Sequence, residues 1–361
     1  MSPSRDPIFD SKGSGTVAAC RAFDLPSDPS VCCDLGGAGG FSGARFWRVS
    51  TGGQSWCVRR WPREYPDRRQ LHFIHDVIRH VRSCGLDCFS KFRSTAEGTT
   101  VYAFGEHLWE ASSWLRGDAV EGSPSREQLV AAMDTLGRFH SAVQRYANPT
   151  NELPLMRRSC SPGIASRLKM LGRWSSRDPD RVRLQAKKLG IDVAIIDMIP
   201  PFFVGLRRHG PALQQRLSAA LRVEVSLVPC LRDIRREHVL FSGALVSGIV
   251  DYGSVNWENK SADVARLLGS LIGADRELWQ QGCWQQGCWR EGLAMFRQHV
   301  DMSATEIEFT EAFHDANRLL SGFQWLEWLI DEGRSFDSIA RVTERLGALL
   351  DTLEQFPLAE P

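Results

Sequence analysis

The sequence has almost no net charge, since 44 Lys and Arg stand against 43 Asp and Glu, a formal +1 over 361 residues. Such a chain sets up no global field to draw nucleic acid or anionic lipid, so any basic patch must be local. It also lacks a long apolar run. The most apolar stretch, residues 191–206, is interrupted by Asp192, Asp197, Pro200 and Pro201, too short and too broken to cross a bilayer. The first residues carry no apolar core ahead of a small-residue cleavage site, and a cytoplasmic protein is expected. The ten cysteines form no paired CxxC signature and no His follows at zinc-finger spacing, so free thiols are expected. What is present is ordinary globular composition, 43% hydrophobic and 24% charged, which excludes disordered and fibrous classes. The length suits about two domains.

Residues 1–29, rich in Ser, Pro, Asp and Gly, lack apolar periodicity and are expected to form a flexible leader. Residues 44–49 alternate apolar and polar, residues 51–54 supply turn chemistry, and residues 55–61 follow as a second strand of a hairpin. Leu71, Ile74, His75, Ile78 and Val81 have helical spacing, and residues 99–104 are expected as a strand leading to Leu108, Trp109 and Glu110. Past Gly117 the pattern turns helical, with Leu129, Met133, Leu136, His140 and Val143 on one face. This predicts a lobe over residues 30–117 and a second over 118–361. Residues 157–190 hold ten Arg or Lys against two Asp, a solvated helix face before it is a nucleic-acid surface. The tandem Trp-Gln-Gln-Gly-Cys copies at 279–283 and 284–288 have a period that fits no solenoid, and no role is assigned to them.

The chemistry concentrates in residues 229–253. Val239-Leu240-Phe241 and residues 246–250 form a strand pair joined by a Ser-Gly turn, which would return Asp251 toward His238 and Asp233. Phosphoryl transfer needs such a set: a carboxylate for the attacking hydroxyl, and ligands for the divalent metal on the nucleotide phosphates. In the protein-kinase catalytic loop a metal-binding Asn lies five residues after the catalytic Asp, and Asp-Phe-Gly follows. Here His238 lies five residues after Asp233, and Asp251-Tyr252-Gly253 follows. Upstream, residues 36–43 (Gly-Gly-Ala-Gly-Gly-Phe-Ser-Gly) stand between two strand-like segments with no helix directly after them. That argues against a Rossmann or Walker loop, both of which open a helix, and for a kinase-type phosphate loop, with a plain glycine-rich hairpin as the alternative.

Taken in order, these segments resemble the aminoglycoside phosphotransferase and choline kinase-like family, small-molecule kinases on a two-lobed protein-kinase-like fold. Residues 35–49 resemble its glycine-rich hairpin, and Trp56-Cys57-Val58-Arg59 sits where its phosphate-contacting Lys strand belongs. Residues 108–117 look like the lobe connector that lines the adenine site, and Leu136-Gly137-Arg138-Phe139-His140 resembles its Leu-x-x-Leu-His helix, with His140 expected as a packed core residue. The resemblance implies an α+β fold: a small antiparallel-sheet N-terminal lobe with one helix and a larger, mostly helical C-terminal lobe. It implies Asp233 as catalytic base and His238 and Asp251 as metal ligands. Gly39, Gly40, Phe41, Ser42, Gly43, Arg59 and Glu110 would hold the nucleotide. ATP and Mg2+ are the implied cofactors, and a small-molecule alcohol the substrate.

The chain departs from the family's His-Gly-Asp-x-His-Pro-x-Asn, carrying Leu231-Arg232-Asp233-Ile234-Arg235-Arg236-Glu237-His238 instead. An imidazole in place of Asn predicts weaker Mg2+ binding or a preference for Mn2+. Arg59 in place of Lys can hold phosphate bidentately. The helix after its strand offers no Glu to pair with it, Asp76 being the nearest acid. These departures keep a second function open, a pseudokinase that binds nucleotide or a partner. Glu327, Asp331 and Glu332, beside Trp325 and Trp328, are a possible receiving surface for a cationic alcohol.

Overall fold

The computed structural model describes residues 14–28, 30–37, 40–147, 157–273, 283–336 and 338–355. The chain divides into two compact units. The first comprises Met1–Gly117 with Ser247–Gly253, the second Asp118–Val246 with Ser254–Pro361.

The first unit is built on a five-stranded antiparallel sheet of β1 (Cys32–Gly36), β2 (Arg45–Thr51), β3 (Gln54–Arg60), β4 (Tyr102–Phe104) and β5 (His107–Ser113), in the order β1-β2-β3-β5-β4. The two-residue turn between β2 and β3 is Gly52-Gly53, both at positive φ, which a tight hairpin requires and glycine supplies without strain. Strand alternation then sorts the side chains. Trp47, Val49, Trp56, Val58, Trp109 and Ala111 fall in one buried cluster, while Arg59 and Glu110, directly opposite in the β3–β5 register, take the other face.

Two helices serve this sheet, not the one expected. Residues 14–22, expected as flexible leader, form α1 (Ser14–Ala22), and Ala19, Cys20, Phe23 and Leu25 pack into the tryptophan cluster. Close approach depends on Gly15, where a Cβ would stand 2.9 Å from Trp109 Cζ2. Nine small or polar residues carry too little apolar periodicity to announce a helix, and tertiary packing supplies what propensity does not. The expected helix is α2 (Arg68–Ser83), capped by Asp67, whose side chain accepts from Gln70 N. It buries Leu71, Ile74, His75, Val77, Ile78 and Val81.

The second unit is mostly helical. After β6 (Asp118–Ala119) comes α3 (Arg126–Val143), opened by a Ser125–Gln128 capping box and burying Leu129, Met133, Leu136, His140 and Val143. Then follow β7 (Arg157–Ser159), α4 (Pro162–Ser175), α5 (Pro179–Lys188), α6 (Val193–Leu221), β8 (Val225–Cys230), β9 (Val239–Ser242), β10 (Leu245–Ile249) and β11 (Asn256–Glu258). The chain ends in α7 (Ser261–Ile272), α8 (Cys283–Arg297), α9 (Ala304–Leu326) and α10 (Ile339–Gln355). Two small antiparallel sheets, ordered β10-β9-β6 and β11-β8-β7, carry the loop that holds Asp233.

The apolar run at 191–206 is the first half of α6, and Trp174, Phe202, Phe203 and Phe323 form an aromatic core around it. Among the described residues no helix is long and apolar enough to cross a membrane. Several arginines of the basic stretch are engaged within the unit. Arg173 binds Glu327, Arg177 binds Asp331, Arg183 lies near Asp197, and Arg167 donates to Asn317. The first Trp-Gln-Gln-Gly-Cys copy lies outside the described residues up to Cys283, where α8 begins.

Candidate active site

In the first unit the candidate groups centre on Arg59. Its side chain is 7% exposed, and its guanidinium lies 3.4 Å over the Trp61 ring and 5.0 Å from that of Phe46. Both terminal nitrogens reach Asp251 Oδ1 at 3.4 Å, the long end of hydrogen bonding. The buried Nε has no hydrogen-bond partner. A buried guanidinium needs acceptors for its five N–H groups, and this one is under-supplied.

The aromatic stack replaces the acidic partner that sequence reasoning sought on α2. Trp61 Nε1 donates to Glu110 Oε2 at 2.9 Å, and His75 Nε2 donates to the same oxygen at 2.9 Å. Glu110, expected among the nucleotide-binding residues, lies mid-strand in β5, buried and engaged by α2. Burial raises the Glu110 carboxyl, but hydrogen bonding and charge from His75, then Arg59 and Trp61, outweigh this and hold it below the usual range. His75 stacks on Phe92, and Phe92 meets Tyr252 edge-on. The contacts close a ring, because Tyr252 is next in the chain to Asp251. His75 and Trp61 were missed as members of it. His75 sat on an apolar helix face, and Trp61 was taken only as the end of a strand.

The Asp-Tyr-Gly segment is held by its middle residue. Tyr252 is buried against Phe89, accepts from Ser90 N at 2.9 Å and donates to the Ile249 carbonyl. Gly253 passes Trp61 so closely that a Cβ would stand 3.0 Å from the ring. Asp251 has φ +62 and an exposed carboxylate. Arg232, just before Asp233, has φ +64. Among the described residues only three non-glycine residues hold positive φ, and two of them fall at or beside the candidate acids. Strain of this kind concentrates at functional sites. The glycine-rich segment joins β1 to β2 as a hairpin loop, with Gly40 N donating to Gly37 O at 2.8 Å and Gly43 at φ +75. Phe41 and Ser42 lie between them, while Ala38 and Gly39 lie outside the described residues.

In the second unit the candidate groups lie on the loop after β8. Asp263, in the first turn of α7 and fully buried, accepts from Leu231 N at 2.8 Å, Arg232 N at 2.6 Å and His140 Nε2 at 3.0 Å. One carboxylate thus fixes the backbone that presents Asp233 and spends His140 as a structural partner. Cys230 closes this buried group, its sulfur donating to the Glu258 carbonyl and its thiol pushed well up by burial. Asp233 is held by Arg266, whose Nη2 and Nε reach Oδ1 at 2.7 and 3.1 Å, with Arg235 Nε at 3.5 Å. Burial raises the Asp233 carboxyl, but Arg266, Arg235 and His238 outweigh it and hold it below the usual range. Asp263 and Arg266 were missed, since their roles depend on contacts about 30 residues distant in the chain.

His238, expected as a metal ligand, has a neighbour of its own. It is buried, and its Nε2 takes a hydrogen bond from Arg235 Nη2 at 3.3 Å. That lone pair points at a cation, so the nitrogen is not a free metal donor. Asp251 fits better. Mg2+ takes one or two carboxylates together with phosphate oxygens and water, and Asp251 offers one exposed carboxylate. The acids expected to receive a cationic alcohol are spent as well: Glu327 on Arg173, Asp331 on Arg177, and Glu332 on Arg334.

An antiparallel-sheet unit with a glycine-rich hairpin, a buried basic strand residue and Asp-Tyr-Gly, together with a helical unit that carries an Asp loop, defines a protein-kinase-like fold. The chain belongs to the phosphotransferase enzyme family (APH), whose model matches residues 36–299. Solved structures agree on the fold. Amicoumacin kinase in complex with AMP-PNP, Ca2+ and Ami superposes with a TM-score of 0.64 at 13% identity, covering 97% of this chain and 95% of that one. A microcompartment-associated aminopropanol kinase gives 0.59 at 15%, covering 94% and 97%. An aminoglycoside phosphotransferase from Alicyclobacillus acidocaldarius gives 0.55 at 14%, covering 98% and 97%. Comparison with curated protein sequences returns no match.

Proposed function

We propose that this protein transfers the γ-phosphoryl group of ATP to a hydroxyl of a small molecule. The observation that carries the reading is Arg59, a guanidinium more than nine-tenths buried whose Nε has no acceptor and whose other contacts are long. A phosphate oxygen is the acceptor such a group is built to take. In this reading Arg59 holds the nucleotide phosphates, and backbone N–H groups of Phe41, Ser42 and Gly43 add to that hold, with Gly39 and Gly40 beside them in the loop. Asp251 holds Mg2+, which when bound neutralises charge on the phosphates. Asp233 orients the acceptor hydroxyl and takes its proton. That the amicoumacin kinase structure contains AMP-PNP and Ca2+ supports nucleotide and divalent-metal use.

One observation favours the second reading, a pseudokinase. Arg266 occupies Asp233 Oδ1 with two nitrogens, which weakens it as a base. The test is ADP release from ATP and Mg2+ across a panel of alcohols, with Asp233→Ala beside the wild type. The expected result is turnover that falls at least about 100-fold in the variant while AMP-PNP still raises its melting temperature. Full turnover in Asp233→Ala rejects the mechanism. Nucleotide binding without ADP release from any alcohol selects the pseudokinase.

A further inference from the structure

The side chains around Asp233 carry an excess of positive charge that nothing in the second unit balances among the described residues. Four guanidinium groups, Arg235, Arg236, Arg266 and Arg345, share two carboxylates, Asp233 and Glu237. A fifth, Arg232, stands exposed next to Asp233 in the chain. The pairings are uneven. Arg266 takes Asp233 at 2.7 Å, whereas Arg235 reaches it only at 3.5 Å and Arg345 reaches Glu237 only at 3.9 Å. Arg235 Nε is buried without a hydrogen-bond partner. Arg345 comes from α10, so the cluster is assembled from the Asp233 loop, α7 and the C-terminal helix. Burial first, then the facing guanidinium groups of Arg235 and Arg266, hold Arg345 below its usual value, with Glu237 and Asp233 opposing. Like charges pressed together and partly desolvated are costly unless an anion joins them.

These groups are only partly buried, so a ligand can reach them: the side chains of Arg235, Arg266 and Arg345 are 23%, 24% and 32% exposed. A cationic acceptor would be repelled here, and the acids that might have received one are bound to arginines elsewhere.

Resting on the phosphotransferase reading, we infer that the acceptor is an anionic alcohol, whose carboxylate or phosphate lands on Arg235 and Arg345 while its hydroxyl meets Asp233. The acceptor's charge then releases the repulsion among the guanidinium groups, and the bidentate fork of arginine gives it a fixed orientation. Arg266 keeps Asp233 ionised beside a second anion, which would otherwise favour its protonation.

The experiment uses the full chain and inorganic phosphate as probe, read as melting temperature and as a dissociation constant. AMP-PNP with Mg2+ forms a parallel arm. Phosphate is expected to stabilise the wild type, to bind about tenfold more weakly to Arg345→Gln, and to recover in Arg345→Lys, which keeps the charge. Arg59→Gln is expected to retain the phosphate effect and lose the AMP-PNP effect. Matched probes separate the substrate class: 3-hydroxypropanoate should stabilise the wild type and 3-amino-1-propanol should not. Stabilisation by the amine, a phosphate effect unchanged in Arg345→Gln, or one lost in Arg59→Gln overturns the inference. So does the absence of any phosphate effect. In each case an intact AMP-PNP shift leaves the phosphotransferase reading standing, and loss of that shift counts against the reading itself.

Discussion

Arg266 sets the charge of Asp233, and its removal has a sign that can be worked out. The carboxyl is held below its ordinary value because the guanidinium groups outweigh burial. Removing Arg266 leaves burial less opposed, so the pKa rises. In Arg266→Gln the acid limb of the kcat/KM profile is expected to move up by about one to two pH units, the usual worth of an adjacent Arg to an Asp. A profile that does not move shows that Arg266 serves packing alone. Asp233 and Asp251 were legible in the sequence because the loop, the hairpin and Asp-Tyr-Gly lie within 25 residues. Their supports were not. Asp263 reaches back to the amides of Leu231 and Arg232, and His75 reaches Glu110, through contacts that no local spacing encodes.

At the scale of elements, α1 shows where local pattern is insufficient. The β2–β3 hairpin was legible from Gly52-Gly53 between alternating strands, and α2 and α3 from their apolar stripes. By contrast α1 is nine residues of small side chains whose stability comes from the sheet it covers. Phe23, directly after it, is fully buried and meets Tyr102 edge-on. Phe23→Ala is therefore expected to cost about 3–5 kcal/mol by urea denaturation, the range for a buried aromatic truncated to Ala. A cost near zero would mean that α1 is detached from the sheet in solution and that the leader expectation was right.

For the whole molecule, the near balance of charges leaves little net repulsion between pH 7.5 and pH 5, where the carboxylates stay largely ionised, so individual buried groups decide the loss of stability in that window. The strongest is His314 on α9. Its ring packs against Trp289 and close to Gly269, and burial first, then the nearby Arg318 and Arg216 charges, lower its pKa to about 3. In the unfolded chain the imidazole titrates near 6.5. Between those values the unfolded state binds a proton that the folded state refuses, so stability is present above the unfolded value and is lost as pH falls below it. At pH 5 the loss from this group alone is about 2 kcal/mol. The carboxylates held low by their partners, Asp233, Glu110 and Glu306, act in a different window, since their contribution is lost only as pH falls below the ordinary carboxylate range. Denaturant unfolding at pH 7.5 and pH 5 should therefore show a decline of which His314→Gln removes the larger part, the remainder belonging to His72 and His209, whose imidazoles burial also lowers, while the steeper loss below pH 4 stays in place. If the decline persists undiminished in His314→Gln, the proton uptake belongs to another group and His314 is not neutral by burial.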